Sequence, residues 1–363
     1  MSATPSVQTA SLQVQGAEER FSREESSPVP AEASYCEVVM RMEGKATEAG
    51  YSKRILGALA GLLLFCVHDA ASAVDYCATP SEQTDPQALH INGAKSFIYK
   101  TIGNIDLRLH VFSSAGRKAG VKSPAVVFFY GGGFILGDVR RFQTQATHLA
   151  LRGIVTVLVD YRVKCREPST TIMDEIADAK SAMRWVRGHA DELSIDPSRI
   201  AAVGSSASGV LLADTALIAD FDDPADDKKI DPRPNALILY NPGTDTGTQF
   251  AHDLVAKMVG KNSADHATEF SPFQHLDHGL PPTIIFQGDA DPLYPDSKKF
   301  CERARDLKFQ CELITYPGAP HGFTEIWIAL EKPERTPNVE RWAADTSDKT
   351  DAFLTRLGWL PQP

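Results

Sequence analysis

The sequence is short of positive charge, of metal-ligand spacing, of internal repeats and of long apolar runs, and each shortage removes a class of protein. Lys and Arg number 37 against 47 Asp and Glu, a formal net charge of -10. A nucleic acid is held by clustered cations, so this balance argues against one as a partner, and against anionic membrane surfaces. The six cysteines, Cys36, Cys66, Cys77, Cys165, Cys301 and Cys311, include no C-x-x-C pair and no Cys/His ligand spacing, so no structural zinc is expected. No period of roughly 20 to 50 residues recurs, which excludes a solenoid or propeller. The apolar run over residues 55–67 is too short to span a bilayer.

What is present is ordinary globular composition, 43% hydrophobic and 23% charged, over 363 residues, enough for one large α/β domain or two small ones. Residues 1–39 are polar, rich in Ser, Glu and Ala, and lack any helical or strand period, so they read as a disordered extension. Residues 40–73 read as a signal peptide. Lys53-Arg54 forms a positive region, the apolar run follows, and Ala71-Ser72-Ala73 offers a small-residue cleavage site. A signal begins near an initiator, which makes Met40 or Met42 a candidate start. The expectation is export to the periplasm or outside, with no stable membrane insertion after cleavage. Residues 74–94 would form an N-terminal arm and 95–363 the folded domain. Four cysteines would survive cleavage, and export permits them to pair in any of three ways.

Along the domain, residues 97–101 and 105–111 alternate around Gly103-Asn104 as a solvated hairpin would. Continuous apolar runs at 125–130, 154–159, 236–240 and 283–286 suit strands buried on both faces. Ile172, Ile176, Ala179, Met183 and Val186 share one helical face. Helices are also expected over 143–151, 295–307 and 345–357, and a strand over 312–316. The mixed segment 243–280 is too short for a separate cap and should cover the site as loops and short helices. The charged stretch 222–229 reads as a solvated loop, and Asp160-Tyr161-Arg162 as a structural anchor. Strands alternating with helices imply an α/β fold, a mostly parallel central sheet with helices on both faces, whose ligands bind beyond the carboxyl ends of the strands.

Three such ends carry chemistry. In Gly204-Ser205-Ser206-Ala207-Ser208-Gly209 an apolar strand turns into an apolar helix through small residues, so Ser206 would be held out over the sheet edge on a strained turn. Asp289 or Asp291 follows the strand ending at Phe286, and His321 lies in Gly318-Ala319-Pro320-His321-Gly322-Phe323. A hydroxyl is a weak nucleophile unless an imidazole takes its proton and a carboxylate steadies the imidazole. Backbone amides of Gly132 or Gly133, together with Ala207, are candidates for holding an oxyanion. None of this needs a metal or organic cofactor.

At these residues the chain resembles the α/β-hydrolase superfamily, in the esterase and lipase branch related to hormone-sensitive lipase and to small acetyl and feruloyl esterases. The resemblance covers about residues 95–360. It rests on Tyr130-Gly131-Gly132-Gly133-Phe134, Asp160-Tyr161-Arg162, Gly204 to Gly209, Gly288-Asp289-Ala290-Asp291-Pro292-Leu293 and Pro320-His321-Gly322-Phe323. It implies an α/β-hydrolase fold without a large cap domain, with Ser206 as nucleophile, Asp291 as acid, His321 as base and Gly132, Gly133 and Ala207 as the oxyanion hole. The implied activity is a serine carboxylesterase on short acyl or aryl esters, the substrate a small molecule or a carbohydrate ester. The alternatives are a serine peptidase of the prolyl-oligopeptidase type, which would need a large extra domain, and a non-catalytic binding protein of the same fold. Two departures stand out: Tyr130 opens the glycine motif where the family has His, and Ser208 occupies the position of the second elbow glycine.

Overall fold

The computed structural model describes Cys77 and residues 90–113, 120–324 and 338–362. The signal peptide and extension expected within residues 1–73 lie outside the described residues, as does most of the arm.

Eight strands form one sheet in the order β1-β2-β4-β3-β5-β6-β7-β8. They are β1 (Lys95–Ile102), β2 (Ile105–Phe112), β3 (Ser123–Phe129), β4 (Val155–Val159), β5 (Ile195–Ser205), β6 (Ala236–Tyr240), β7 (Thr283–Gly288) and β8 (Cys311–Tyr316). β1 with β2 and β2 with β4 run antiparallel, and all remaining pairs are parallel. Every residue of β3, β4, β6 and β7 is buried, as their unbroken apolar runs require. The hairpin is a correction. In β2, Leu107, Leu109, His110 and Val111 are buried because β2 has β4 on its other side, so it is an interior strand.

The longer helices are α1 (Gln143–Leu151), α2 (Ile172–Gly188), α3 (Ala207–Leu217), α4 (Gln249–Met258), α5 (Tyr294–Asp306) and α6 (Val339–Arg356). α2 starts at a capping box in which the Thr171 side chain accepts from the Asp174 amide and Asp174 accepts from the Thr171 amide. A cap of this kind contributes about 1 kcal/mol. Ile172, Ile176, Ala179, Met183 and Val186 are all fully buried along it. α6 starts at Val339, six residues before the expected 345, since Val339 and Trp342 bury against the core. Between β6 and β7 the chain forms α4, a short helix Lys261–Asp265 and a 3-10 turn Pro272–His278, not a separate domain.

The charged stretch 222–229 is also corrected. Asp222 meets Lys180 and Arg184, Asp226 meets Arg184, and Asp223 meets Lys100. The Lys180 and Arg184 side chains are 1% and 7% exposed on α2, and a buried cation needs a partner. Reading either segment alone hides this pairing. The Asp160-Tyr161-Arg162 anchor has definite partners: Arg162 forks onto both oxygens of Asp178 at 2.7 and 2.9 Å, and Arg166 onto Asp160. Of the three pairings open to the cysteines, the structure contains Cys77–Cys165 and Cys301–Cys311.

The strand order locates the crevice. From β3 the chain steps to β4 on one side and then to β5 on the other, so the connections reverse direction between β3 and β5. The carboxyl ends of these two strands therefore part, leaving room for a ligand. Gly131 follows β3 and Ser206 follows β5.

Candidate active site

Ser206 has φ 53° and ψ -117°, a conformation few non-glycine residues adopt. Its own amide donates to Tyr240 O at 2.9 Å, clamping the turn to β6. Small neighbours are required here. A Cβ on Gly209 would stand 2.6 Å from Pro242, so the close approach that demands glycine falls one place after the position the family motif uses. Ser208 fits without strain. Its hydroxyl donates to Phe129 O at 2.8 Å and accepts from the Ser205 amide at 2.8 Å, tying the new helix to the ends of β3 and β5.

The structure brings Ser206, His321 and Asp291 into one line. Ser206 Oγ lies 2.8 Å from His321 Nε2, and His321 Nδ1 lies 2.7 Å from Asp291 Oδ2. A carboxylate against Nδ1 places the ring proton there, which leaves Nε2 to accept from the serine hydroxyl. Asp291 is buried, with further donors from Gln287 Nε2 at 2.7 Å and the Leu293 amide at 2.9 Å. Asp289 does something else: it is exposed and accepts from the Gly318 amide at 2.6 Å, which holds the loop carrying His321. Gln287 and the holding role of Asp289 went unread in the sequence. Their one signal was position, at the end of β7 beside the acid.

Gly132 and Gly133 line the other side. Gly132 has φ 151°, and a Cβ there would fall 1.8 Å from Leu136 O, because the loop folds back on itself. Among the described residues the amides of Gly132, Gly133 and Ala207 donate no hydrogen bond, so they are available to an anion, and Ala207 opens the eleven-residue helix α3. Met258 on α4 reaches the same loop, its Cε 2.0 Å from where a Cβ on Gly133 would be. Tyr130 points away from the site into the interior. It donates to Asp160 at 3.2 Å and receives Arg166 at 2.8 Å, while its ring stacks on Tyr161 at 4.4 Å. Burial pushes both phenols well above their ordinary range, so they stay protonated donors. A separate cavity of about 250 Å³, lined by Asp231, Arg233 and Asn235 among others, lies at the amino-terminal end of β6. It contains no nucleophile and base in contact.

A sheet of this order with serine, carboxylate and imidazole at its carboxyl ends defines an α/β hydrolase. The chain matches the family described as alpha/beta hydrolase fold over residues 126–325, more than half its length, and it belongs to that family. Several of the proteins it resembles are named esterases or lipases. It is 28% identical over 277 residues to Lipase 2 of a Moraxella species, covering 64% of this chain and 63% of the relative, so the match spans a little under two thirds of that protein. It is 28% identical over 235 residues to Carboxylesterase NlhH of Mycobacterium tuberculosis, covering 57% of this chain and 68% of the relative. Among solved structures, esterase 2 of Thermogutta terrifontis phosphonylated by sarin is 34% identical with TM-score 0.67, covering 76% of this chain and 99% of that one. The same esterase with propionate bound superposes with TM-score 0.65 at 34% identity, over 75% and 97%.

Proposed function

We propose that this protein is a serine carboxylesterase, with Ser206, His321 and Asp291 as its triad and the amides of Gly132, Gly133 and Ala207 as its oxyanion hole. The observation that carries the reading is the unbroken relay from Ser206 Oγ through His321 to Asp291 at 2.8 and 2.7 Å. Ser206 Oγ attacks the ester carbonyl as His321 Nε2 takes its proton, and the carbonyl oxygen becomes an anion facing the three amides. The tetrahedral adduct collapses, and His321 returns the proton to the departing alcohol. Water then repeats the sequence on the acyl-enzyme, with His321 again as base.

The substrate is a short acyl or aryl ester, on a small molecule or a carbohydrate. Met258 against Gly133 narrows the space beside the proposed oxyanion hole. The Thermogutta esterase, solved with propionate and with butyrate bound, supports the short-acyl reading. Incubation of the wild type and Ser206→Ala with a fluorophosphonate probe and a series of acyl nitrophenyl esters tests both points. Wild type is expected to label and to turn over short chains fastest, and the variant to lose labelling and about a thousandfold or more of turnover. Equal labelling would remove Ser206 from its role, and turnover confined to long chains would overturn the short-acyl assignment.

Export is part of the same proposal. Disulfides persist in oxidising compartments, and the structure carries two. N-terminal sequencing of the mature protein should begin near Val74, and an intact amino terminus in the cytoplasm would contradict export.

A further inference from the structure

We propose that Arg141 is a positioning residue for the oxyanion hole, an inference that rests on the esterase reading and adds a side chain to its machinery. The 3-10 turn Val139–Phe142 presents two arginines between two buried anchors, Val139 and Phe142. Arg140 turns outward to Asp138. Arg141 turns inward, and its Nη1 donates to Gly131 O at 2.7 Å.

That carbonyl belongs to the peptide whose other end is the Gly132 amide. In a trans peptide the C=O and the N–H point in opposite directions, and no cis peptide occurs among the described residues. Drawing the Gly131 oxygen toward Arg141 therefore drives the Gly132 N–H to the opposite side. The next peptide is set in the same way: Gly132 O accepts the amides of Ile135 at 3.1 Å and Leu136 at 3.2 Å, which turns the Gly133 N–H away from them. Both N–H groups are without a donor bond among the described residues. A peptide between two glycines rotates at little steric cost, so without a bond on its carbonyl it would sample several orientations. The backbone bonds from Ile135 and Leu136 hold the second peptide whatever the side chains are. The first depends on a side chain, and Arg141 supplies it with a charged donor.

An oxyanion donor acts most strongly when charge develops on the carbonyl oxygen, so loosening it should be read in kcat and not in KM. Removing such a donor outright costs about 100- to 1000-fold in kcat, and letting one of several wander should cost roughly 10- to 100-fold. The test compares wild type, Arg141→Met and Arg141→Lys, each checked for an unchanged melting curve. It measures kcat and KM on a short nitrophenyl ester, affinity for a trifluoromethyl ketone that forms a tetrahedral adduct, and rate of labelling by a fluorophosphonate. Arg141→Met is expected to lose about 10- to 100-fold in kcat with KM within about twofold, and a similar factor in ketone affinity and labelling rate. Arg141→Lys, which keeps a cationic donor, should recover most of it. A loss confined to KM, or ketone affinity and labelling equal to wild type, would overturn the role. Should Arg141→Met melt early, its kinetics and ketone affinity are read well below its melting transition: wild-type KM with matched falls in kcat and ketone affinity supports the role, and no change in either defeats it. Wild type that neither labels nor turns over any ester would instead overturn the esterase reading.

Discussion

Asp291 and Glu175 are both carboxyl groups shut away from water, 3% and 0% exposed, and their surroundings are opposite in kind. Asp291 stands just before α5, where Gln287, the Leu293 amide and His321 all meet its oxygens. Glu175 stands in the first turn of α2, and neither of its oxygens has a hydrogen-bond partner among the described residues. Burial, with the carboxylates of Asp178 and Asp174 behind it, raises the Glu175 pKa well above its ordinary 4.5, although Arg162 and Arg166 pull the other way. Depth inside the protein therefore does not decide what a carboxyl group can do. The donors around it do, and the fold has gathered them at the end of β7 and withheld them from the side of α2.

Replacing Asp291 by Asn should break the proposed relay with the largest effect. The amide cannot hold the Nδ1 proton in place, so His321 loses the tautomer that accepts from Ser206. We expect kcat to fall about 10,000-fold while the melting temperature moves little, read by steady-state kinetics beside thermal unfolding. An Asn variant that retained a tenth of wild-type kcat would show that the acid lies elsewhere.

Glu175→Gln sharpens the other half of the comparison with a smaller effect. Because folding raises the pKa of Glu175, its protonation favours the fold fully below the unfolded pKa near 4.5, and this contribution is lost as pH rises through the folded value. A glutamine does not titrate. The melting temperature of the variant relative to wild type should therefore climb by a few degrees between pH 4 and pH 9, with kcat unchanged. A constant difference across that range would mean that Glu175 keeps the same protonation state in the folded and unfolded chain.

The parts legible in the sequence are those decided by near neighbours in the chain. The buried strands at 125–130 and 236–240 were readable because both faces are covered, which leaves no polar residue to break the run. α2 declared itself by the spacing of Ile172, Ile176, Ala179, Met183 and Val186. The turn at Ser206 was readable because a reversal within two residues tolerates small side chains and little else. Whatever depends on residues distant in the chain was hidden. The β2 residues looked half-solvated until β4 was placed beside them. Asp222 and Asp226 looked like surface charge until α2 brought Arg184 to them.

The amino-acid sequence by itself determined the elements, the order of serine, acid and histidine, and the loops that carry them, since each follows from local propensity and the period of apolar residues. Tertiary structure alone decided that Asp291 faces His321 while Asp289 holds the Gly318 amide, and that Arg141 reaches back to Gly131. Two residues apart in one loop, the aspartates carry the same chemistry; the family resemblance pointed to Asp291, but local propensity and apolar period do not distinguish them before β7 and β8 pair. Hydrogen bonds act over about 3 Å in space, and separation along the polypeptide does not report that distance.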